Sequence, residues 1–270
     1  MTVTPRAALL AGALTLGLAI AGPAPAPAEE EAAWDAIALQ VFDDRPMEAS
    51  GIVAIEAPYR AEDAALVPMT IRAALPEGDA RRVEAVTLVI DENPSPVAAR
   101  FEIGPEAGVS AIETRVRVER YTPVHAVAEL SDGSLHVAEA FVKASGGCAA
   151  PAAKDPDEAM ASLGEMRLRR FEGGASGDGG AEAQLMIRHP NNSGLQMDQL
   201  TRHYIPARFV QEVTITQGAT PILRMEGGIS LSEDPSFRFD YRPTGEPLRA
   251  RALDTEGAAF EGEWPAAPEG

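Results

Sequence analysis

Residues 112–118 alternate without a break. Ile112, Thr114, Val116 and Val118 fall on one face of an extended chain, and Glu113, Arg115 and Arg117 on the other. Strand side chains point to opposite faces at every step, so this run fits a strand with one buried face and fits no helix. Similar short runs recur through the chain. Residues 83–90 are rich in β-branched side chains, Asp91-Glu92-Asn93-Pro94-Ser95-Pro96 turns the chain, and 97–103 return. Residues 124–130 and 135–142 flank Ser131-Asp132-Gly133-Ser134, a hairpin signal. With runs at 52–57 and 69–73, the spacing predicts an immunoglobulin-like sandwich over 29–148. Residues 61–67 read as a short turn of helix over its edge.

The pattern resumes after a break. Strand-like runs at 183–188, 210–216, 222–225, 237–241, 248–253 and 259–264 predict a second small sandwich over 183–266. Between the two, residues 149–182 read as a flexible linker, glycine-rich at 173–180 and with a short helix inside 155–168. Ahead of the first strand, Trp34, Ile37, Ala38, Val41 and Phe42 keep helical spacing, which predicts a short amphipathic helix ended before Pro46. The fold class is therefore all-β, with two immunoglobulin-like sandwich domains joined by a flexible linker and a short N-terminal helix.

Residues 1–28 read as a secretory signal peptide. Arg6 supplies the positive end, residues 7–21 are apolar but too short to span a bilayer, and Ala26-Pro27-Ala28 gives a cleavage site before Glu29. The expectation is a soluble protein exported to a bacterial periplasm. The formal charge of −18 argues against nucleic acid and anionic membrane surfaces as partners, because both require lysine and arginine.

Export sharpens the meaning of the single cysteine. In an oxidising compartment an unpaired cysteine implies a reactive thiol or an intermolecular bridge, so Cys148 permits a disulfide dimer. It sits in Ser145-Gly146-Gly147-Cys148-Ala149-Ala150-Pro151, at the end of one predicted sandwich and the start of the linker. No apolar run surrounds it, which argues against a cysteine packed as a core residue. A thiolate can carry a group by covalent attachment, and a carrier thiol needs a slim tether. Gly146, Gly147, Ala149 and Ala150 make a flexible arm for Cys148.

Other chemistry is thin. His125 and His136 flank the Asp132-Gly133 hairpin and read as surface histidines, while His189 and His203 lack any zinc spacing. No nucleophile elbow, Walker loop or C-x-x-C is present. The expectation is no catalytic residues, no metal and no cofactor.

The first half resembles SoxY and the second SoxZ, the two subunits of the periplasmic sulfur-oxidation carrier. The SoxY-like features are the leading helix, Ala57-Pro58-Tyr59-Arg60-Ala61-Glu62-Asp63-Ala64-Ala65-Leu66-Val67-Pro68, the run from Asp91 to Pro96, and Gly-Gly-Cys. The SoxZ-like features are His189-Pro190 with Ser193-Gly194, Tyr204-Ile205-Pro206-Ala207, Val213 and its strand, residues 232–239 and residues 254–257. One chain joining the two is similar to the SoxYZ-like carriers associated with quinoprotein dehydrogenases, and the likeness covers about 29–266.

The resemblance implies a non-enzymatic periplasmic carrier that holds a sulfur-containing group on Cys148. Its implied partners are Sox-type or quinoprotein dehydrogenase-system enzymes. SoxY proper ends in Gly-Gly-Cys-Gly-Gly, whereas here Ala149 and Ala150 follow the cysteine and the chain continues, so the arm must enter a partner as a loop. Two other expectations stay open. One is a non-covalent accessory module for a quinoprotein dehydrogenase. The other is a thiol-transfer enzyme, which needs a base beside Cys148, with His125, His136 and His189 the candidates.

Overall fold

The protein is described by a computed structural model over residues 27–152, 156–171 and 180–266; most of the predicted leader and of the glycine run lies outside these residues. The first half holds α1 (Pro27–Phe42), β1 (Met47–Glu48), β2 (Val53–Glu56), β3 (Val67–Ala73), β4 (Val83–Ile90), β5 (Val97–Ile103), β6 (Ala111–Val116), β7 (Thr122–Leu130) and β8 (Leu135–Val142). The second holds α2 (Pro156–Ala161), β9 (Met166–Phe171), β10 (Ala181–Ile187), β11 (Val210–Gln217), β12 (Thr220–Gly227), β13 (Ser236–Tyr241), β14 (Leu248–Asp254) and β15 (Ala259–Trp264). The chain is all-β with a short N-terminal helix.

The strands form two sheets that both run through the two halves. The nine-stranded sheet has the order β1-β8-β7-β4-β5-β12-β11-β14-β15, and the six-stranded sheet the order β2-β3-β6-β13-β10-β9. The halves meet where β5 pairs with β12, from Ile103 opposite Leu223 to Ala99 opposite Gly227, and where β6 pairs with β13. Each half alone would leave the backbone groups of β5 and β6, or of β12 and β13, unpaired at a sheet edge, and such edges are costly to leave open. Joined edge to edge, the two sandwiches share one core, with Phe101 of β5 against Phe237 of β13 at 6.2 Å between ring centres.

Three local readings change. β9 pairs with β10 over six positions, from Phe171–Glu182 to Met166–Ile187, so a sheet strand occupies part of the span read as linker. The helix expected within 155–168 stops at Ala161, and alternation takes over at Met166 because Met166 and Leu168 pack on the core while Arg167 and Arg169 face water. Residues 61–66 form a turn closed by the Leu66 N–H on the Asp63 carbonyl, not a helical turn.

α1 explains why β4 is buried at every position from Ala85 to Ile90 rather than at alternate ones. Ile37 and Phe42 pack on Val89, Val127 and Leu135, so β4 and β7 are covered by the helix outside and by the core inside. His125 and His136 are buried, not on the surface as their hairpin setting suggests. His125 stacks on Trp34 at 3.7 Å and meets Asp91 Oδ1 through Nδ1 at 3.0 Å. His136 is held between Ser50 Oγ, 2.7 Å from Nδ1, and Ser134 Oγ, 3.2 Å from Nε2. Hairpin flanking fixed their position in the strands; only the covering helix and the residue 50 loop decide their burial.

Candidate functional site around Cys148

The segment carrying Cys148 lies in the seam between the two halves. Beyond β6 the chain continues extended through residues 117–119, and the arm runs alongside it. The Gly146 N–H donates to the Glu119 carbonyl at 2.9 Å and the Gly147 N–H to the Val118 carbonyl at 3.0 Å. The two glycines serve this turn differently. Gly146 has φ near +80°, a conformation that costs an L side chain about 1–2 kcal/mol. At Gly147 a Cβ would stand 2.0 Å from the Ala64 carbonyl oxygen and 2.7 Å from that of Val118, so only a residue without a side chain fits.

Both halves hold the arm. From the first, Glu119 Oε2 accepts the Cys148 N–H at 3.0 Å, and the Arg117 guanidinium donates to the Gly147 carbonyl at 3.2 Å. From the second, Ser193 Oγ donates to the Cys148 carbonyl at 2.5 Å and Gln196 Nε2 to the Ala150 carbonyl at 3.0 Å. Asn93 fixes the scaffold underneath. Its amide nitrogen donates to the Arg117 carbonyl at 2.7 Å and to Ser230 Oγ at 2.9 Å, and its oxygen accepts the Glu119 N–H at 2.8 Å. One amide side chain thus ties both flanks of the arm's docking strand to the second half.

Cys148 is fully buried here, at 0 % exposure, although no apolar run surrounds it in the sequence. Its cover comes from segments distant in the chain. Ala149 is exposed and Ala150 half-buried, so the turn surfaces just after the cysteine. Burial first, then the charge of Glu119, push the thiol up to about 12; the Arg117 cation pulls the other way, and a hydrogen bond to Glu119 adds to the rise. Docked, Cys148 is a protonated thiol and a poor nucleophile.

Arg117 is the second unusual group. Alternation puts it on the outer, wet face of its strand, yet it is 1 % exposed because the arm and the loop at 189–193 cover it. Burial lowers its pKa, and the thiol, Glu233 and Asp63 raise it back in part. Its Nε lacks a partner among the described residues. A cleft of about 70 Å³ beside it is lined by Asp63, Leu66, Ala150, Pro151 and Glu233.

No histidine is among the charged groups acting on the thiol. His125 and His136 are committed to α1 and the residue 50 loop, as above. His189 is nearer in the network: its Nδ1 accepts the Asn191 N–H at 3.0 Å, and the Asn191 carbonyl in turn accepts from Arg117. Burial holds His189 below the usual imidazole range, against the hydrogen bond and charge of Asp254. His203 is exposed.

The residues that sequence reading missed are Asn93, Arg117, Glu119, Ser193 and Gln196. A signal was present for two of them, and for one backbone group that confines the arm. Asn93 sits in the run from Asp91 to Pro96, Ser193 in the Ser-Gly pair, and the Ala64 carbonyl that excludes a side chain at Gly147 in the stretch from Ala57 to Pro68. These motifs, scattered in the sequence, converge on the arm.

Comparison with known proteins finds two family models in order along the chain. Residues 38–148 match the family model of sulfur oxidation protein SoxY, and residues 170–265 that of sulphur oxidation protein SoxZ. No curated protein matches the chain. Among solved structures, the sulfur carrier protein SoxY from Chlorobium limicola f thiosulfatophilum is 25% identical, covering 43% of this chain and 96% of its own, with a TM-score of 0.37. A superoxide reductase (neelaredoxin) from Ignicoccus hospitalis is 14% identical, covering 34% of this chain and 78% of its own, with a TM-score of 0.30.

Proposed function

Because the chain joins a SoxY-family domain to a SoxZ-family domain in one polypeptide, we propose that it is a carrier, without catalysis of its own, that presents a sulfur-containing group on Cys148 to partner enzymes of the periplasm. The observation that supports this most is the docking of the Gly-Gly-Cys turn in the seam of the two domains by hydrogen bonds from both.

Magnitudes favour a reversible dock. The hydrogen bonds that the arm donates to Glu119 and Val118 and accepts from Arg117, Ser193 and Gln196 each contribute about 1 kcal/mol net. Freeing residues 146–150 returns about 1–2 kcal/mol of backbone entropy per residue. The two sums are of similar size, so release does not require unfolding the sandwich. The docked state keeps the thiol protonated and covered, which suits a single cysteine in an oxidising compartment. Released, it regains an ordinary thiol pKa and can react. Attaching a thiol-bearing sulfur cargo as an S–S bond removes two protons and two electrons, which an oxidising partner enzyme takes up; this chain supplies the thiol and its presentation. The partners are Sox-type enzymes or those of a quinoprotein dehydrogenase system.

Mass measurement of the intact protein taken directly from periplasm tests the reading. We expect an added mass that disappears in Cys148→Ser. A thiol found unmodified under every growth condition, with no phenotype for Cys148→Ser, would sink it.

The complete burial of Cys148 favours a second reading, in which the protein is a non-covalent accessory module for a quinoprotein dehydrogenase and the turn is structural. Cys148→Ala would then leave dehydrogenase activity of cells intact while deletion of the protein abolishes it.

A further inference from the structure

The outer face of the six-stranded sheet carries a positive groove on a strongly negative protein. The chain has 41 acidic and 23 basic residues. In a cleft of about 650 Å³ on this face the balance is reversed: Arg115, Arg167, Arg169 and Arg188 stand against Glu165 and Asp234, with Met166, Met186 and Trp264 in the walls. A second cleft of about 340 Å³ shares Arg115, Arg169 and Met186 with it and adds Arg238 together with its partner Glu113, so arginine still outnumbers carboxylate across the two. Strand register lines these up, with Met186 opposite Arg167 and Gln184 between Arg169 and Arg238.

Arg188 pairs with Asp234 and Arg238 with Glu182, but among the described residues Arg115, Arg167 and Arg169 make no ion pair. Charged side chains on an edge strand such as β9 can serve only to keep other sheets from adding on. That reason does not reach Arg115, which lies on an inner strand, β6, two strands in from the opposite edge.

The groove opens beside the root of the arm. Arg115 lies on β6 and Arg117 just past its end, two residues further along or about 7 Å at strand spacing. Arg117 bonds the Gly147 carbonyl, while the Arg115 carbonyl accepts from Ser232 and its guanidinium donates to the Asp234 carbonyl. We propose that this arginine groove docks an acidic surface of the enzyme that receives the Cys148 arm. The inference rests on the carrier reading for the role of the arm, and on charge complementarity for the partner. Most of the surface of a chain at −18 repels an acidic protein, so attraction confined to one groove both attracts the partner and orients it with the arm at its entrance. Arginine, methionine and tryptophan are also the residue types enriched in protein interfaces.

Titration of the ¹⁵N-labelled full chain with a deca-glutamate peptide at low salt tests the groove. Shifts should appear on β6, β9 and β10 and on the Trp264 indole, and weaken as salt rises. The Arg167→Glu/Arg169→Glu variant, changed only at exposed positions, should bind at least tenfold more weakly. Arg249→Glu/Arg251→Glu, a pair on the other sheet, should bind as wild type does. Cys148→Ser should also bind unchanged, so the groove and the cargo reading fail separately: a wild-type thiol that never carries an adduct sinks one, and a wild-type chain that does not bind the peptide sinks the other. Equal weakening by both arginine pairs, or shifts spread over the whole surface, overturns the proposal. Displacement of the peptide by sulfate or thiosulfate well beyond chloride of equal ionic strength also overturns it, marking a small-anion site instead.

Discussion

The Glu119 carboxylate accepts the backbone N–H of Cys148 at 3.0 Å and, through its charge and a hydrogen bond, helps to hold the thiol of the same residue protonated. One side chain therefore both fastens the arm and suppresses its nucleophile. On the carrier reading, release of the turn would also activate the thiol.

This coupling has a definite pH dependence. The docked thiol is pushed up to about 12, whereas a free cysteine titrates near 8.5. The protonated thiol's preference for the dock is thus intact below about pH 8.5 and is lost progressively as pH climbs toward 12. Native protein should react with iodoacetamide at pH 8 far more slowly than urea-unfolded chain, and accelerate above pH 9. Glu119→Gln keeps the shape, removes the charge, and should raise the pH 8 rate about tenfold for each pKa unit recovered. Equal rates for Glu119→Gln and wild type would remove Glu119 from this role.

Ser193 and Gln196 should set how long the arm stays docked. Ser193→Ala leaves the buried Cys148 carbonyl without its donor, a loss of about 1–3 kcal/mol for the docked state. The Ser193→Ala/Gln196→Ala pair should raise alkylation of Cys148 by at least tenfold with little change in thermal melting, since the sheets are untouched. Hydrogen exchange at Gly146 and Gly147 would show whether release is confined to the turn.

The two glycines should respond unequally to alanine. Gly147→Ala drives a Cβ into two backbone carbonyls that cannot yield as a side chain would, so the turn should be expelled and Cys148 exposed. Gly146→Ala meets no atom within 4 Å and should cost only about 1–2 kcal/mol of backbone strain. Similar thiol reactivity in the two variants would contradict the close approach at Gly147.

The halves should depend on each other. Residues 27–152 and 156–266 expressed separately expose β5 and β6, or β12 and β13, as open edges. Each should aggregate or melt early alone, and the pair should copurify and recover the melting temperature when coexpressed. Two independently stable fragments that ignore each other would refute the shared core.

Strand positions were legible residue by residue because alternation is a local consequence of burying one face. Residues 83–90, 112–118 and 248–253 appear as strands close to those limits. β9 escaped notice because Met166-Arg167-Leu168-Arg169 is apolar at only two positions and adjoins a helix-like stretch. Its partner, β10, comes after the glycine run, beyond the reach of a local pattern. The pairing of β5 with β12 could not be read either, since it joins residues about 120 apart whose only local mark is an ordinary strand pattern.

By itself the sequence determined that the chain is all-β, that it has two strand-rich halves, and that its one thiol stands behind two glycines at the end of the first. These follow from side-chain periodicity and from the conformations open to glycine, both properties of neighbouring residues. Only the tertiary structure decided that the halves share their sheets, that Arg117 on a wet face is buried, and that Gly147 is a point of contact while Gly146 is a bend. It also decided that Cys148 is covered and protonated. Burial and electrostatics depend on what distant segments bring alongside: Glu119, Asn93, Ser193 and Gln196 meet the arm only when two sheet edges close on each other.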